Sequence, residues 1–190
     1  MKVTGYTGEA YGEVQVQTLN EYGQTQATYF WYDIPGDSII GWFDKSENEY
    51  VRGDVLVQAG EGLWVYCDGA GYGFQSAGQV PTSKVTVELQ NSGLSIANPT
   101  PIDVDLIDCA ISGYTGDAYG EVQVQTLNEY GQTQATYFWY DIPGDSIIGW
   151  FDKSENELVR GDVVMAPGAG LWTYCDGNGF NFEFPGVDVK

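Results

Sequence analysis

The chain has 190 residues, with 27 acidic against 7 basic side chains, no histidine and a formal net charge of −20. At 43% hydrophobic and 15% aromatic it can bury a core, because disordered chains of comparable charge are poor in aromatic and β-branched residues. The charge speaks against a nucleic-acid backbone or an anionic membrane surface as partner, since both need clustered Lys and Arg. No apolar run approaches the roughly 20 residues that span a bilayer, so membrane insertion is not expected. The opening residues, Met1 to Glu9, show no apolar leader pattern either.

In chain order the first pattern is Glu13 to Leu19, where polar and apolar residues alternate with period two. That is the mark of a half-buried strand. Ala27 to Tyr32 is dense in aromatic and β-branched residues, as is Gly62 to Tyr66, and both fit a pleated surface. Pro35-Gly36-Asp37 and Asp68-Gly69 supply turns. Val55-Leu56-Val57 reads as a further short strand after the turn Arg52-Gly53-Asp54. Lys84 to Leu89 and Ile102 to Ile107 alternate again and read as a strand pair, with Asn98-Pro99-Thr100-Pro101 between them.

Beyond that point the sequence repeats itself. Gly5–Glu49 recurs as Gly113–Glu157 at a constant offset of 108, differing only at Glu9 against Asp117. Tyr50 to Gly69 and Leu158 to Gly177 keep Val-Arg-Gly-Asp-Val, Gly-Leu-Trp and Tyr-Cys-Asp-Gly. The chain therefore divides into a first copy at 1–82, an unrepeated connector with two strands at 83–108, and a second copy at 109–190. No segment carries a 3.6-residue apolar period, so almost no helix is expected. Many short strands separated by turns predict an all-β fold of two tandem β-sandwich domains, jelly-roll or Ig-like, from an internal duplication. The connector strands complete the first domain, open the second or bridge both. A copy without them is left with an open sheet edge, which predicts strand complementation between subunits.

Lack of histidine removes Ser-His-Asp and Cys-His catalysis and histidine-ligated metals. Asp33, Asp37, Asp44, Glu47 and Glu49, with their twins Asp141, Asp145, Asp152, Glu155 and Glu157, supply carboxylates of the kind a glycosidase pairs. Loop carboxylates in an acidic chain are more simply solvated charges, and no enzymatic activity is expected. Calcium is the cation such oxygens suit; Asp103, Asp105 and Asp108 are closely spaced but form no Asp-x-Asp-x-Asp-Gly loop, so no metal or other cofactor is assigned. Arg52-Gly53-Asp54 and Arg160-Gly161-Asp162 read as turns, and Gly60-Glu61-Gly62 and Gly69 to Gly73 are not phosphate loops. Cys67, Cys109 and Cys175 are too few for a disulfide framework, and Cys67 and Cys175 read as small buried apolar residues.

Candidate ligand-binding residues are the repeated aromatics Trp31, Tyr29 and Trp42, with Trp139, Tyr137 and Trp150. Flat exposed rings stack on sugar faces, and alternation within Tyr29-Phe30-Trp31-Tyr32 points some ring away from the core of its sheet. Gln17 to Thr25, Tyr29-Phe30-Trp31, Gly41-Trp42 and Gly60 to Val65 together resemble tandem all-β repeat segments of bacterial and bacteriophage surface proteins. The resemblance implies no catalytic residue. The lack of a signal-peptide pattern, the lack of histidine-based chemistry and the duplicated β-domains with an open edge point to a non-enzymatic structural protein displayed on an assembly surface, such as a capsid decoration or fibre subunit of a bacteriophage virion, with protein partners through self-assembly or a surface lattice. The alternative is a carbohydrate-binding or adhesin module of a bacterial cell surface, with a glycan as ligand.

Overall fold

A computed structural model describes residues 2–4, 10–20, 22–34, 36, 38–51, 55–67, 73–75, 80–89, 94–114, 122–128, 130–142, 144–175 and 179–187. Every strand pairing is antiparallel, and among the described residues the one helical element is a single 3₁₀ turn. The all-β expectation therefore holds, in two compact units: Met1–Asn20, Gln24–Val57 and Leu63–Gln79 form one; Glu21–Gly23, Gln58–Gly62 and Val80–Lys190 form the other.

The first unit carries β1 (Lys2–Thr4), β2 (Ala10–Leu19), β3 (Thr25–Asp33), β4 (Ile40–Asp44), β5 (Glu49–Tyr50), β6 (Trp64–Cys67) and β7 (Gly73–Gln75). Its main sheet has the order β5-β4-β3-β2-β6, and β1 pairs with β7 separately. The second unit carries β8 (Val85–Leu89), β9 (Leu94–Ala97), β10 (Val104–Asp105), the 3₁₀ turn Leu106–Asp108, β11 (Ala110–Ser112), β12 (Val122–Leu127), β13 (Thr133–Asp141), β14 (Ile148–Asp152), β15 (Glu157–Leu158), β16 (Val164–Met165), β17 (Gly170–Cys175) and β18 (Phe180–Phe184). Here the main sheet is β15-β14-β13-β12-β17-β9, a second sheet is β11-β18-β8, and β10 pairs with β16.

The registers of the two copies agree at the offset of 108. Trp31 opposes Trp42 as Trp139 opposes Trp150, and Val16 opposes Val65 as Val124 opposes Thr173. The turns agree as well. Asn20 accepts the Gln24 amide on its Oδ1 at 2.9 Å, and Asn128 does the same for Gln132 at 2.9 Å. Side-chain oxygens of Asn and Asp close turns in this way because they stand in for a backbone carbonyl. Asp44 Oδ1 accepts from Ser46 N at 2.7 Å and Ser46 Oγ at 2.6 Å, matched by Asp152 and Ser154 at 2.6 and 2.5 Å. Each of these hairpins bends through an asparagine of positive φ, Asn48 at 57° and Asn156 at 55°, the residue type that best tolerates that region after glycine.

The core of the second unit lies between its two larger sheets. Val122, Val124, Trp139, Trp150, Leu171 and Cys175 come from the main sheet; Val87, Leu89, Ile111, Phe180, Phe182 and Phe184 face them from the other. Alternation explains the selection, since Phe180, Phe182 and Phe184 point inward while Asn181 and Glu183 do not. Each fully buried ring or branched side chain contributes about 1.5–3 kcal/mol relative to exposure. Among the described residues of the first unit, Val3, Val14 and Trp31 form a buried cluster, with Trp42 packed against it.

The connector departs from the pattern expected of it. Residues 83–108 lie in the second unit, and their strands do not pair with each other: β8 joins β18, β9 joins β17 and β10 joins β16. The strand expected over 102–107 shortens to Val104–Asp105 and turns into 3₁₀ geometry, which sinks Leu106 fully into the core. Leu94–Ala97, too short to show alternation, forms β9 through its neighbours. Conversely, Val55-Leu56-Val57 is not a strand, whereas its counterpart Val164–Met165 is β16. A strand needs a partner for its backbone groups, and β10 supplies one to the second copy only.

Candidate functional site

The six candidate aromatics share the inner face of the main sheets. Trp31 is 7% exposed, Trp139 9% and Trp150 2%, and each Trp–Trp pair meets edge to face, Trp31–Trp42 at 5.4 Å and Trp139–Trp150 at 5.2 Å. Edge-to-face contact is the favourable arrangement of two ring quadrupoles. Trp150 also donates from Nε1 to the Cys109 carbonyl at 3.0 Å. Rings covered in this way have no open face for a sugar, so the structure gives Trp31, Trp139 and Trp150 a core role in place of the stacking role expected of them, and half-buried Trp42 packs against Trp31. Tyr29 is half-buried, and Tyr137 is buried but lines an open recess of about 430 Å³ with Gln134, Asp162, Met165 and Leu171. Burial, then the charges of Asp152, Asp162 and Glu155, hold the Tyr137 phenol above the ordinary tyrosine range. The Asp162 carboxylate on the lining of this recess disfavours anions.

The opposite face of each main sheet was not singled out from sequence. Directly opposed residues of an antiparallel pair share a face, and following the registers from strand to strand gives a rank of Tyr66, Gln15, Phe30, Phe43 and Tyr50 across all five strands of the first unit. At about 4.8 Å per strand the rank spans about 19 Å. A second rank sets Trp64 beside Gln17 and Thr28. In the second unit the ranks read Tyr174, Gln123, Phe138, Phe151 and Leu158, then Trp172, Gln125 and Thr136. Rings touch along these ranks, Phe30–Phe43 at 5.0 Å and Phe138–Phe151 at 5.5 Å. At one end the aromatics open to solvent: Trp64 is 39% exposed, Tyr66 49% and Tyr174 42%. The Thr25 hydroxyl donates to Gln17 Oε1 at 3.0 Å, and Thr133 to Gln125 at 2.9 Å, which orients both amides. None of these ranked residues carries a charge. The missed signal was in the sequence: Tyr and Trp flank Val65 in Trp64-Val65-Tyr66, so they share the face that Val65 does not.

The carboxylates are occupied by local structure. Asp44 and Asp152 are held below the ordinary carboxylate range, first by the Ser46 and Ser154 hydroxyls. Tyr114 donates its hydroxyl to Asp141 Oδ2, and Tyr140 donates to Asp145 Oδ2 at 2.8 Å. Asp33 ends β3, Glu49 begins β5, Glu47, Glu155 and Glu157 lie in or beside the hairpin turns, and Asp37 falls outside the described residues. Asp103 and Asp108 are exposed and Asp105 half-buried; among the described residues no three His, Cys, Asp or Glu side chains gather as a metal site. No helix of the described residues is long and apolar enough to cross a membrane.

Arg160 donates to Glu157 at 3.1 Å, and Gly161 turns the chain at φ 84°; Arg52-Gly53-Asp54 and Cys67's side chain lie outside the described set. Gly60-Glu61-Gly62 lies along β9: Gly62 N donates to Ser95 O at 2.9 Å, and a Cβ on Gly62 would sit 2.5 Å from that oxygen. Close backbone approach explains that glycine. Cys109 and Cys175 are buried free thiols, and burial, then Asp108, pushes the Cys109 thiol up to about 12.

No family model matches the chain, and neither does any curated protein or solved structure.

Proposed function

We propose that the chain is a non-enzymatic, surface-displayed binding protein built of two tandem β-sandwich domains from an internal duplication, each offering its outer sheet face to a neutral glycan. The observation that carries this reading is the pair of aromatic and glutamine ranks, uncharged and repeated at the same register in both units. Ring faces at Trp64, Tyr66, Trp172 and Tyr174 suit the C–H faces of sugar rings, and oriented Gln17 and Gln125 amides suit their hydroxyls. With a net charge of −20, anionic polymers are repelled. Two equal faces on one chain raise avidity without any new contact when both reach the same polymer.

A capsid or cell surface is the setting that such a displayed binder fits. A second reading, as a structural subunit such as a virion decoration or fibre protein, draws on a different observation, the uneven covering of the inner faces. Affinity electrophoresis through gels containing neutral polysaccharides tests the first reading. Trp64→Ala combined with Trp172→Ala should abolish retardation, while either alone weakens it. Retardation untouched by the double substitution, or no retardation by any neutral polysaccharide, refutes the assignment.

A further inference from the structure

The recess of about 430 Å³ beside Tyr137 is lined by the end of β12, the starts of β13 and β17, and the short strand β16. Among the described residues β16 pairs with β10 and not with the main sheet, which leaves a hollow between the two. Its volume suits a small-molecule site, a largely apolar hollow with a few convergent polar groups. Leu127, Met165 and Leu171 give it apolar walls, and Gln134, Asp162 and Tyr137 bring polar groups. Tyr137 is 7% exposed, yet among the described residues its hydroxyl makes no hydrogen bond. A phenol so deeply buried ordinarily finds a partner, so this one is left to an occupant of the recess. A smaller recess of about 160 Å³ shares Tyr137, Asp162 and Val163 with the first. Together the two are lined by the carboxylates of Asp152, Glu155, Glu157 and Asp162 against the guanidinium of Arg160, itself tied to Glu157 at 3.1 Å. Burial, then the charges of Asp152, Asp162 and Glu155, keep the phenol protonated, and the same charges draw cations toward it.

We infer that this recess binds a small organic ammonium ion with an apolar body, its nitrogen held by the Asp162 carboxylate and the Tyr137 hydroxyl. An ammonium carries three donors and no acceptor: the carboxylate offsets its charge, the neutral phenol oxygen accepts a further hydrogen bond, and the apolar walls take the rest of the molecule. Calcium fits this lining less well, because it takes six to eight oxygens. Asp152 Oδ1 is already occupied by Ser154 N and Oγ at 2.6 and 2.5 Å, and among the described residues no three His, Cys, Asp or Glu side chains gather as a metal site. Phosphate and carboxylate ligands meet the same negative charges and are disfavoured. Asp54, the counterpart of Asp162, lies outside the described residues, and the site is assigned to the second unit. It is on the face opposite the proposed glycan surface, and its occupancy is independent of that reading.

The test titrates the whole protein with benzylammonium and hexylammonium chlorides at low ionic strength, with benzyl alcohol, benzoate and calcium chloride as controls. Binding is followed by calorimetry and protection by hydrogen exchange. The fragment 162–171 differs in sequence from its counterpart 54–63 and so reports on this site alone. The expected result is saturable binding of both amines, slowed exchange in 162–171, and binding of benzyl alcohol and benzoate at least tenfold weaker than that of benzylammonium. Asp162→Asn removes an exposed charge and Tyr137→Phe keeps the buried ring while removing the hydroxyl; each should weaken the amines about fivefold. Absence of saturable binding by either amine, binding unchanged in both variants, or benzyl alcohol bound as tightly as benzylammonium overturns the assignment. So does calcium binding that Asp162→Asn abolishes while the amines do not bind.

Discussion

Trp150→Ala and Trp42→Ala make the same change within identical stretches of sequence, so the difference between their costs measures what the packing around each ring adds. Trp150 is 2% exposed, meets Trp139 at 5.2 Å and Phe182 at 6.0 Å, and donates to the Cys109 carbonyl at 3.0 Å. Removing a buried Trp side chain costs about 3–5 kcal/mol through lost transfer energy and the cavity left behind. Stranding a buried carbonyl adds about 1 kcal/mol, so about 5 kcal/mol is expected at Trp150. Trp42 is half-buried and keeps its edge-to-face partner Trp31; scaling by burial gives about 2 kcal/mol there. A gap of about 3 kcal/mol is a factor of over 100 in the opening equilibrium. Two units need not unfold together, so one global melting curve is the wrong instrument. Native-state hydrogen exchange on fragments 171–184 and 63–75 reads each unit. Equal costs in the two units, or a cost at Trp150 below about 1.5 kcal/mol, would refute the claim that Trp150 is the more tightly packed of the two.

Asn98 is buried and its side chain holds four hydrogen bonds, donating to the Ile102 and Met165 carbonyls at 2.9 Å and accepting from Thr100 N and Oγ1 at 2.9 and 2.8 Å. Asn98→Ala should cost about 3 kcal/mol by leaving several of those partners unsatisfied, measured by exchange in 171–184. Cys109 and Cys175 should resist iodoacetamide at pH 8 in the native protein and react on denaturation, read by mass spectrometry. Because burial, then Asp108, pushes the folded Cys109 thiol up to about 12 from an ordinary 9.0, the native state holds its proton longer. Stability from this group is therefore full below about pH 9 and falls as pH rises toward 12, and Cys109→Ala should flatten that part of the difference curve. Glu183 is held below its ordinary range first by Lys84, 2.8 Å away, and then by Ser112. Its contribution is present above pH 4.5 and lost as pH falls through the lowered value; Glu183→Gln should reduce the acid sensitivity of the β8–β18 pairing, followed by exchange at pH 3 to 5.

Alternation made Glu13–Leu19, Ala27–Tyr32 and Lys84–Leu89 legible as strands, and the constant offset of 108 carried the same reading to the second copy. These are local properties: a period of two puts one face toward a core whatever that core turns out to be. The face chosen was another matter. Trp31, Trp42, Trp139 and Trp150 are the bulkiest apolar rings of their strands and went inward, while Trp64 and Tyr66 were left outside by the parity of Val65. Reading parity from β2 through to β6 requires the register between strands, which is a long-range property. Leu94–Ala97 gives no periodic signal and became a strand because β17 offered an edge; Val55–Val57 gives one and did not, because no edge was offered. The strongest case is the repeat itself. Sequence alone determined that 14–19, 25–33 and 40–44 would form the same strands as 122–127, 133–141 and 148–152, since identical local preferences act on identical residues. That Trp150 is sealed while Trp42 stays half-buried was decided by tertiary structure, because Trp150 packs on Phe182 of a different sheet and donates to the Cys109 carbonyl, contacts that its own strand does not encode.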